Sequence, residues 1–399
     1  MIQNKDLAAR LRADANAQLS FFKASLRSDG GLAVLTRDGQ HRPNEPQELI
    51  TTTRMIHSYA LGKLAGAPDC DAIIDAGMAA LWDRHRDTVH GGYNWSFDEN
   101  GPVETDKLAY GHMFVLLAAS SAKAVGHPDA DRLLADISEV IDARFWEPSA
   151  NLMCDEFRQD WTPFSDYRGM NANMHGVEAH LSAFEVTGDR QYLTRAQDIL
   201  SFFVDKMAAN NGWRLPEHYT SDWQVDYAYE GNPMFRPKGT TPGHSFELGR
   251  LLIQAWDLDG RKDDAPVRAR ALIETALKDA WLPETGFAYT LDFDGSVRVR
   301  DRYWWPVTEA IGAVATLLKL DNSETDRAWY DRLWTAGFDL FVDHEYGGWV
   351  PEIDADGAQA EIQFVGKPDI YHALQADLYP LHDGVSGHYE GIKGVLTGA

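Results

Sequence analysis

The chain is expected to form an all-α fold, an (α/α)6 barrel with short β-hairpin arms on the face that carries its pocket. Three features predict this: a loop pattern that recurs, helical segments of two alternating kinds, and connections that alternate between short and long. Recurrence at a fixed period points to one supersecondary unit used several times around a shared core. A chain of 399 residues would otherwise be expected to split into two or three domains. A closed ring of repeats makes residues 1–399 a single domain instead.

The loop pattern reads GYNWSFDENG (92–101), GFAYTLDFDG (286–295) and GWVPEIDADG (348–357). The last two begin 62 residues apart, and the first lies 194 before the second, close to three such periods. Each copy alternates apolar and polar residues into an Asp-x-Asp/Asn-Gly turn, which reads as a small β-hairpin arm or extended loop.

Between the arms, apolar residues recur with the 3.6-residue period of a helix face. Six pairs follow. Their first helices run near 5–26, 68–86, 129–146, 189–208, 264–281 and 325–342, and their partners near 50–65, 107–125, 171–187, 244–258, 305–320 and 368–381. The partners are more apolar, as in HMFVLLAASSAKAV and VTEAIGAVATLLKL. A helix apolar on most sides belongs inside, and an amphipathic one outside. Inner helices reach the next outer helix through short turns such as GAPD (66–69), GHPD (126–129) and TGDR (187–190), whereas outer helices return through long segments. All long arms therefore share one face, and long structured loops are where function concentrates.

Composition narrows the function. Formal net charge is −24, from 61 acidic and 37 basic residues, so phosphate backbones and anionic membranes are repelled. Cys70 and Cys154 form no CxxC pattern and are expected to be free, buried thiols in a reducing compartment. The first residues are amphipathic and acid-bearing, unlike a signal sequence, and no apolar run is long enough to span a membrane. A cytoplasmic protein is expected, and monomer and homo-oligomer both stay open.

Inner helices start at the long-arm face, so their first turns should ring the pocket. In order these carry Arg54 and His57; Tyr110 and His112; Asn171, Asn173, His175 and Glu178; His244 and Glu247; Trp305 and Glu309; Tyr371 and His372. Histidine recurs at this level in five of the six units. A helix N-terminus stabilises a developing oxyanion and favours a neutral imidazole able to accept a proton. His175/Glu178 and His244/Glu247 share the spacing that lets a carboxylate orient an imidazole on one helix face. Metal ligation is the competing reading of such pairs, and an ordinary surface pair is the plain one. Neither HExxH nor a dense acid cluster supports a metal, and none is expected. RPKGTTPGHSFE (236–247) and EIQFVGKPDIYHALQADLYP (361–380) are rigid leads into the helices bearing His244 and His372. Arg54 and Arg236 are candidate cations for a ligand oxygen or acidic substituent, unless each pairs with an acid; Trp305 offers a flat apolar face.

TTTRMIHSYALG (51–62), MNANMHGVEAHL (170–181), FRPKGTTPGHSFELGRLL (235–252) and GKPDIYHALQADLYPL (366–381) resemble the N-acylglucosamine 2-epimerase superfamily, and within it the branch of mannose isomerases and sulfoquinovose isomerases. The resemblance spans essentially the whole chain. It implies an (α/α)6 barrel and an aldose–ketose isomerase that acts on a monosaccharide through a cis-enediol, without metal or nucleotide cofactor. It places the catalytic histidines on His244 and His372. It also places Arg54, Tyr110, Asn171, His175, Arg236, Glu247, Trp305 and Gln363 around the sugar, with Glu247 expected to orient His244. Mannose–fructose interconversion is the expected reaction. Sulfoquinovose isomerisation, sugar 2-epimerisation, a glycoside hydrolase on the same barrel using carboxylates among Glu178, Glu247 and Glu309, and a non-enzymatic helical scaffold are the rivals.

Overall fold

Helices form where the periodicity places them. The computed structural model describes residues 5–283 and 285–397. In chain order its barrel helices are α1 (Lys5–Phe22), α2 (Leu49–Ala65), α3 (Asp71–Ala80), α4 (Ala109–Ala124), α5 (Ala130–Val140) and α6 (Met170–Thr187). They continue with α7 (Arg190–Leu200), α8 (Pro242–Leu258), α9 (Ala265–Ala280), α10 (Trp304–Asp321), α11 (Glu324–Ala336) and α12 (Tyr371–Leu378). Even-numbered helices are inner: every residue of α10 from Trp304 to Leu317 is buried. Odd-numbered helices are outer: α5 buries only Ala130, Leu133, Leu134 and Ile137, one stripe at helical spacing.

The turns impose direction. α2 and α6 end at Gly66 (φ 99°) and Gly188 (φ 72°), and α10 at Asn322 (φ 50°), each in the left-handed conformation that stops a helix and reverses the chain within a few residues. Each inner helix packs on the next, and α12 packs on α2, which closes the ring. Outer helices lie mainly against the inner helix that precedes them across the short turn, and α1 packs on α12. The sequence pairs α1 with α2; in space the chain's first helix instead clasps its last inner one.

That clasp is polar and buried. Gln18 Nε2 donates to Asp14 Oδ2 (3.0 Å) and to Asp377 Oδ2 (2.7 Å), and Trp349 Nε1 donates to Asp14 Oδ2 (2.8 Å). Burial, the main cause, holds both carboxyls above the usual carboxylate range.

The arms are six short hairpins, one per unit, closed by pairings at Leu35–His41, Phe97–Pro102, Phe157–Pro163, Tyr219–Val225, Leu291–Val297 and Ile353–Gln359. The sequence pattern finds three of them. Two of the others carry Trp161 (φ 68°) and Trp223 (φ 60°) at the left-handed turn position that Gly295 (φ 88°) and Gly357 (φ 93°) hold elsewhere. A bulky residue is disfavoured there. Hydrogen bonds from Trp161 Nε1 to the His90 carbonyl (2.7 Å) and from Trp223 Nε1 to Glu147 (3.1 Å) hold the two indoles in place. On the opposite face, the segment around α13 (His388–Gly391) ties three inner helices together. Tyr389 Oη meets Ser121 of α4 (2.9 Å), Gly387 N donates to Glu185 of α6 (3.0 Å) and Leu396 N donates to the Ala65 carbonyl of α2 (2.9 Å).

Both cysteines are free and buried. Among the described residues no helix is long and apolar enough to cross a membrane.

A carboxyl raised in the folded state stabilises while protonated, and that contribution is lost as pH climbs through the folded pKa. Asp377→Asn should therefore gain melting temperature over the parent protein as pH rises from about 5 to about 8, by roughly 2 °C at the upper end. Thermal melts at matched ionic strength check this, and a difference independent of pH contradicts it.

Candidate active site

Because inner helices begin at the long-arm face, their early residues converge there on a cleft of about 570 Å³, counting the space open to solvent. Arg54 reaches it from α2, Tyr110 from α4, Asn171 and His175 from α6, His244 and Glu247 from α8, Trp304 and Trp305 from α10, and His372 from α12. Met234, Phe235, Pro237, Tyr289 and Phe364 close the sides from the arms.

Two imidazoles sit on buried carboxylates. His244 Nδ1 donates to Glu217 (2.9 Å to Oε2, 3.0 Å to Oε1), whose Oε1 also accepts from the Thr241 amide (3.1 Å). His372 Nδ1 donates to Glu309 Oε1 (2.8 Å), while Glu309 Oε2 lies 3.5 Å from Arg250. A carboxylate on Nδ1–H fixes the tautomer and leaves Nε2, on the far edge of the ring, as the nitrogen available to the cleft. Trp305 neighbours both, its ring 5.1 Å from His244 at 31° and 5.9 Å from His372 at 34°. Such an arrangement can take a proton at one imidazole and return it at another over one flat wall.

The floor is polar and crowded. Glu178 accepts from the Tyr371 hydroxyl, and from Gln375 Nε2 at 3.2 Å. His57 lies below, joined to Gln375 (3.1 Å) and Ser121 (2.7 Å). Burial pulls the pKa of His57 and of His175 down to about 4, so both are neutral near pH 7. Glu247 is pushed well above the usual carboxylate range by burial and then by its like-charged neighbours Glu309 and Glu178. Its oxygens, His175 Nδ1 and Asn171 Oδ1 have no hydrogen-bond partner among the described residues and lie in the residues that line the cleft. His175, Glu178 and Glu247 offer atoms within 4.8 Å of one another, close enough to grip one ion. Arg54 is held by Asp369 (2.5 Å) and donates to Tyr110 Oη (2.9 Å).

Comparison with known proteins decides the family. A family model for N-acylglucosamine 2-epimerase matches residues 30–376. The chain belongs to the N-acylglucosamine 2-epimerase family. Two relatives named D-mannose isomerase, from Pseudomonas cannabina pv. alisalensis and from Thermobifida fusca, are each 39% identical to it. The matches cover 93% of this chain and 92% of the first relative, and 94% of each chain for the second. A crystal structure of a D-mannose isomerase superposes with a TM-score of 0.89 at 30% identity, covering 95% of this chain and 98% of that one.

For this N-acylglucosamine 2-epimerase family member, the structure brings together His244, His372, His175, Glu247, Arg54, Tyr110, Asn171 and Trp305, as the sequence predicts. Five expectations are corrected. Glu247 does not orient His244; Glu217 does, from the arm before α8, and Glu247 stands 3.4 Å from His175 instead. The three-residue spacing puts His244 and Glu247 on one face of α8, but His244 Nδ1 takes its carboxylate from the arm. Arg236 is paired with Glu156 (2.7 Å) and stacked on Tyr167, so it does not line the cleft. Gln363 is exposed, and the neighbouring Phe364 turns in. His112 is structural, held between the Leu108 carbonyl (2.7 Å) and the Tyr93 amide (3.0 Å), and Asn173 likewise bonds the Met153 backbone (2.9 Å). Glu217 escaped notice because it lies in irregular chain, in LPEHY (215–219), where no periodicity marks it.

Gly243 packs directly beneath the Trp305 ring, and a Cβ there would overlap the indole. Gly243→Ala should cost about 1–3 kcal/mol in denaturant unfolding. It should also change the near-UV circular dichroism of the tryptophans while leaving helix content intact. An unchanged near-UV spectrum contradicts the packing.

Proposed function

We propose that this protein is an aldose–ketose isomerase that interconverts D-mannose and D-fructose, with D-lyxose and D-xylulose as related substrates, through a cis-enediol. The observation that carries the reading is the pair of imidazoles, each tethered through Nδ1 to a buried carboxylate and both facing Trp305. Similarity to proteins named D-mannose isomerase supports it.

The sugar lies against Trp305. His244, oriented by Glu217, assists ring opening by moving the proton of the anomeric hydroxyl. His372 Nε2 then removes the proton at C2 and returns it at C1, while the O2 hydroxyl proton passes to O1, so that C2 becomes the carbonyl carbon and the aldose becomes the ketose. Glu309 keeps the resulting imidazolium paired, which lowers the cost of its charge in a buried site. The unpartnered groups of Asn171, His175 and Glu247 take the hydroxyls and the developing enediol oxygens.

His372→Ala should lower kcat by about 10²–10⁴ with little change in KM, and Glu217→Ala by about 10² through the lost orientation of His244. Wild-type enzyme with chelator in D2O should place deuterium at C1 of fructose and C2 of mannose. Near-normal turnover by His372→Ala ends the reading; loss of activity with the chelator redirects it to metal-assisted chemistry. Product analysis with glucose separates isomerisation from 2-epimerisation.

Sulfoquinovose is the weaker substrate in this reading. The candidate cations for an acidic substituent, Arg54 and Arg236, are already paired with Asp369 and Glu156, and Gln363 lies outside the cleft. In parallel assays mannose should exceed sulfoquinovose in kcat/KM by at least about tenfold, the effect of roughly one unmet ionic contact. The reverse preference overturns this choice of substrate.

A further inference from the structure

One group in the cleft holds more ligand atoms than the protein satisfies. His175 Nδ1 lies 3.4 Å from Glu247 Oε1 and 3.9 Å from Glu178 Oε2. Neither oxygen of Glu247, nor His175 Nδ1, has a hydrogen-bond partner among the described residues, although the two residues are only 1% and 5% exposed. Two buried carboxyl groups this close repel when both are ionised, and either a proton or a bound cation relieves that repulsion. Of the nearby arginines, Arg54 is committed to Asp369, while Arg250 stands 3.5 Å from Glu309 and its charge also acts on Glu178 without a hydrogen bond to it.

One imidazole and two carboxylates form a ligand set suited to a borderline divalent ion. Bonds of about 2.0–2.2 Å in a tetrahedron separate ligand atoms by about 3.4 Å. His175 and Glu247 already meet that spacing. Glu178 Oε2 needs to come about half an ångström nearer to His175 Nδ1, with Glu178 and Glu247 already within 4.8 Å of each other. The Tyr371 hydroxyl and Gln375 amide on Glu178 would act as the outer layer that orients a ligand. Two of the three residues, His175 and Glu247, also line the cleft.

We propose that His175, Glu178 and Glu247 form a binding site for a borderline divalent cation of the Zn²⁺ class, which takes the place of the sugar and so inhibits the enzyme. The binding stands on the geometry alone; the inhibition rests on the isomerase reading. No step of the isomerisation passes through the ion. It competes for the same unpartnered atoms that take sugar hydroxyls.

Calorimetric titration of chelator-stripped protein with ZnCl2 tests this, alongside zinc-edge anomalous maps of wild-type crystals soaked in ZnCl2. One ion per chain is expected, with its anomalous peak among the three side chains. Glu178→Gln and Glu247→Gln should each weaken binding at least about tenfold, with circular dichroism confirming the fold of each variant. Saturating D-fructose should raise the apparent Kd for zinc. No saturable binding, a peak only at surface carboxylates, or affinity unchanged in both variants overturns the site, and the isomerase reading survives if mannose is still turned over. Zinc held at the trio but indifferent to fructose overturns the competition. An anomalous peak in the wild type keeps the test decisive should either variant misfold.

Discussion

The alternation of a tight left-handed turn with a long arm is the constraint on which everything else depends. An inner helix stopped by a residue such as Gly66 or Gly188 must hand the chain outward and back within a few residues. The return journey must then cross to the other face before the next inner helix begins. Repeated around a ring closed by α12 against α2, this rule puts all six inner N-termini at one mouth. No residue of the cleft needs to be near another in sequence, because the direction of the helices brings them together.

Electrostatics then shapes what the mouth can do. The chain is strongly acidic, yet its buried interior is where acids are used with most economy. Glu217 and Glu309 each hold one imidazole, and Glu178 holds Tyr371 and Gln375. Arg54, Arg236 and Arg250 are each matched to a carboxylate. A lining whose cations are already matched suits a neutral polyhydroxylated ligand, whose hydroxyls both donate and accept. Glu247 is the carboxyl left over, and its position beside His175 is why the same cleft can hold a sugar or a cation.

The apolar framework serves this site as well as stability. Trp305 packs over Gly243 and neighbours the rings of both His244 and His372. The close packing under one ring therefore fixes the surface that two imidazoles borne on different helices share. Phe364 and Phe235, from different arms, wall the opening with aromatic surface.

Helix boundaries and inner-versus-outer identity were legible in the sequence because both are periodic, and periodicity survives whatever the tertiary context. The level of the ring at which chemistry sits was legible too, since it follows from which connections are short. Glu217, the burial of Arg236 against Glu156, and the exposure of Gln363 were not. Each belongs to an arm, where no repeat constrains the side chain and the partner comes from a distant part of the chain. The two arm turns built on Trp161 and Trp223 were hidden for a related reason: packing and hydrogen bonds hold a conformation that local preference assigns to glycine. The sequence by itself determined the ring and its histidine-bearing rim, because hydrophobic period and turn chemistry are local. Only the tertiary structure decided which carboxylate holds which imidazole and which charges cancel, because hydrogen bonds a few ångströms long depend on where separate segments meet.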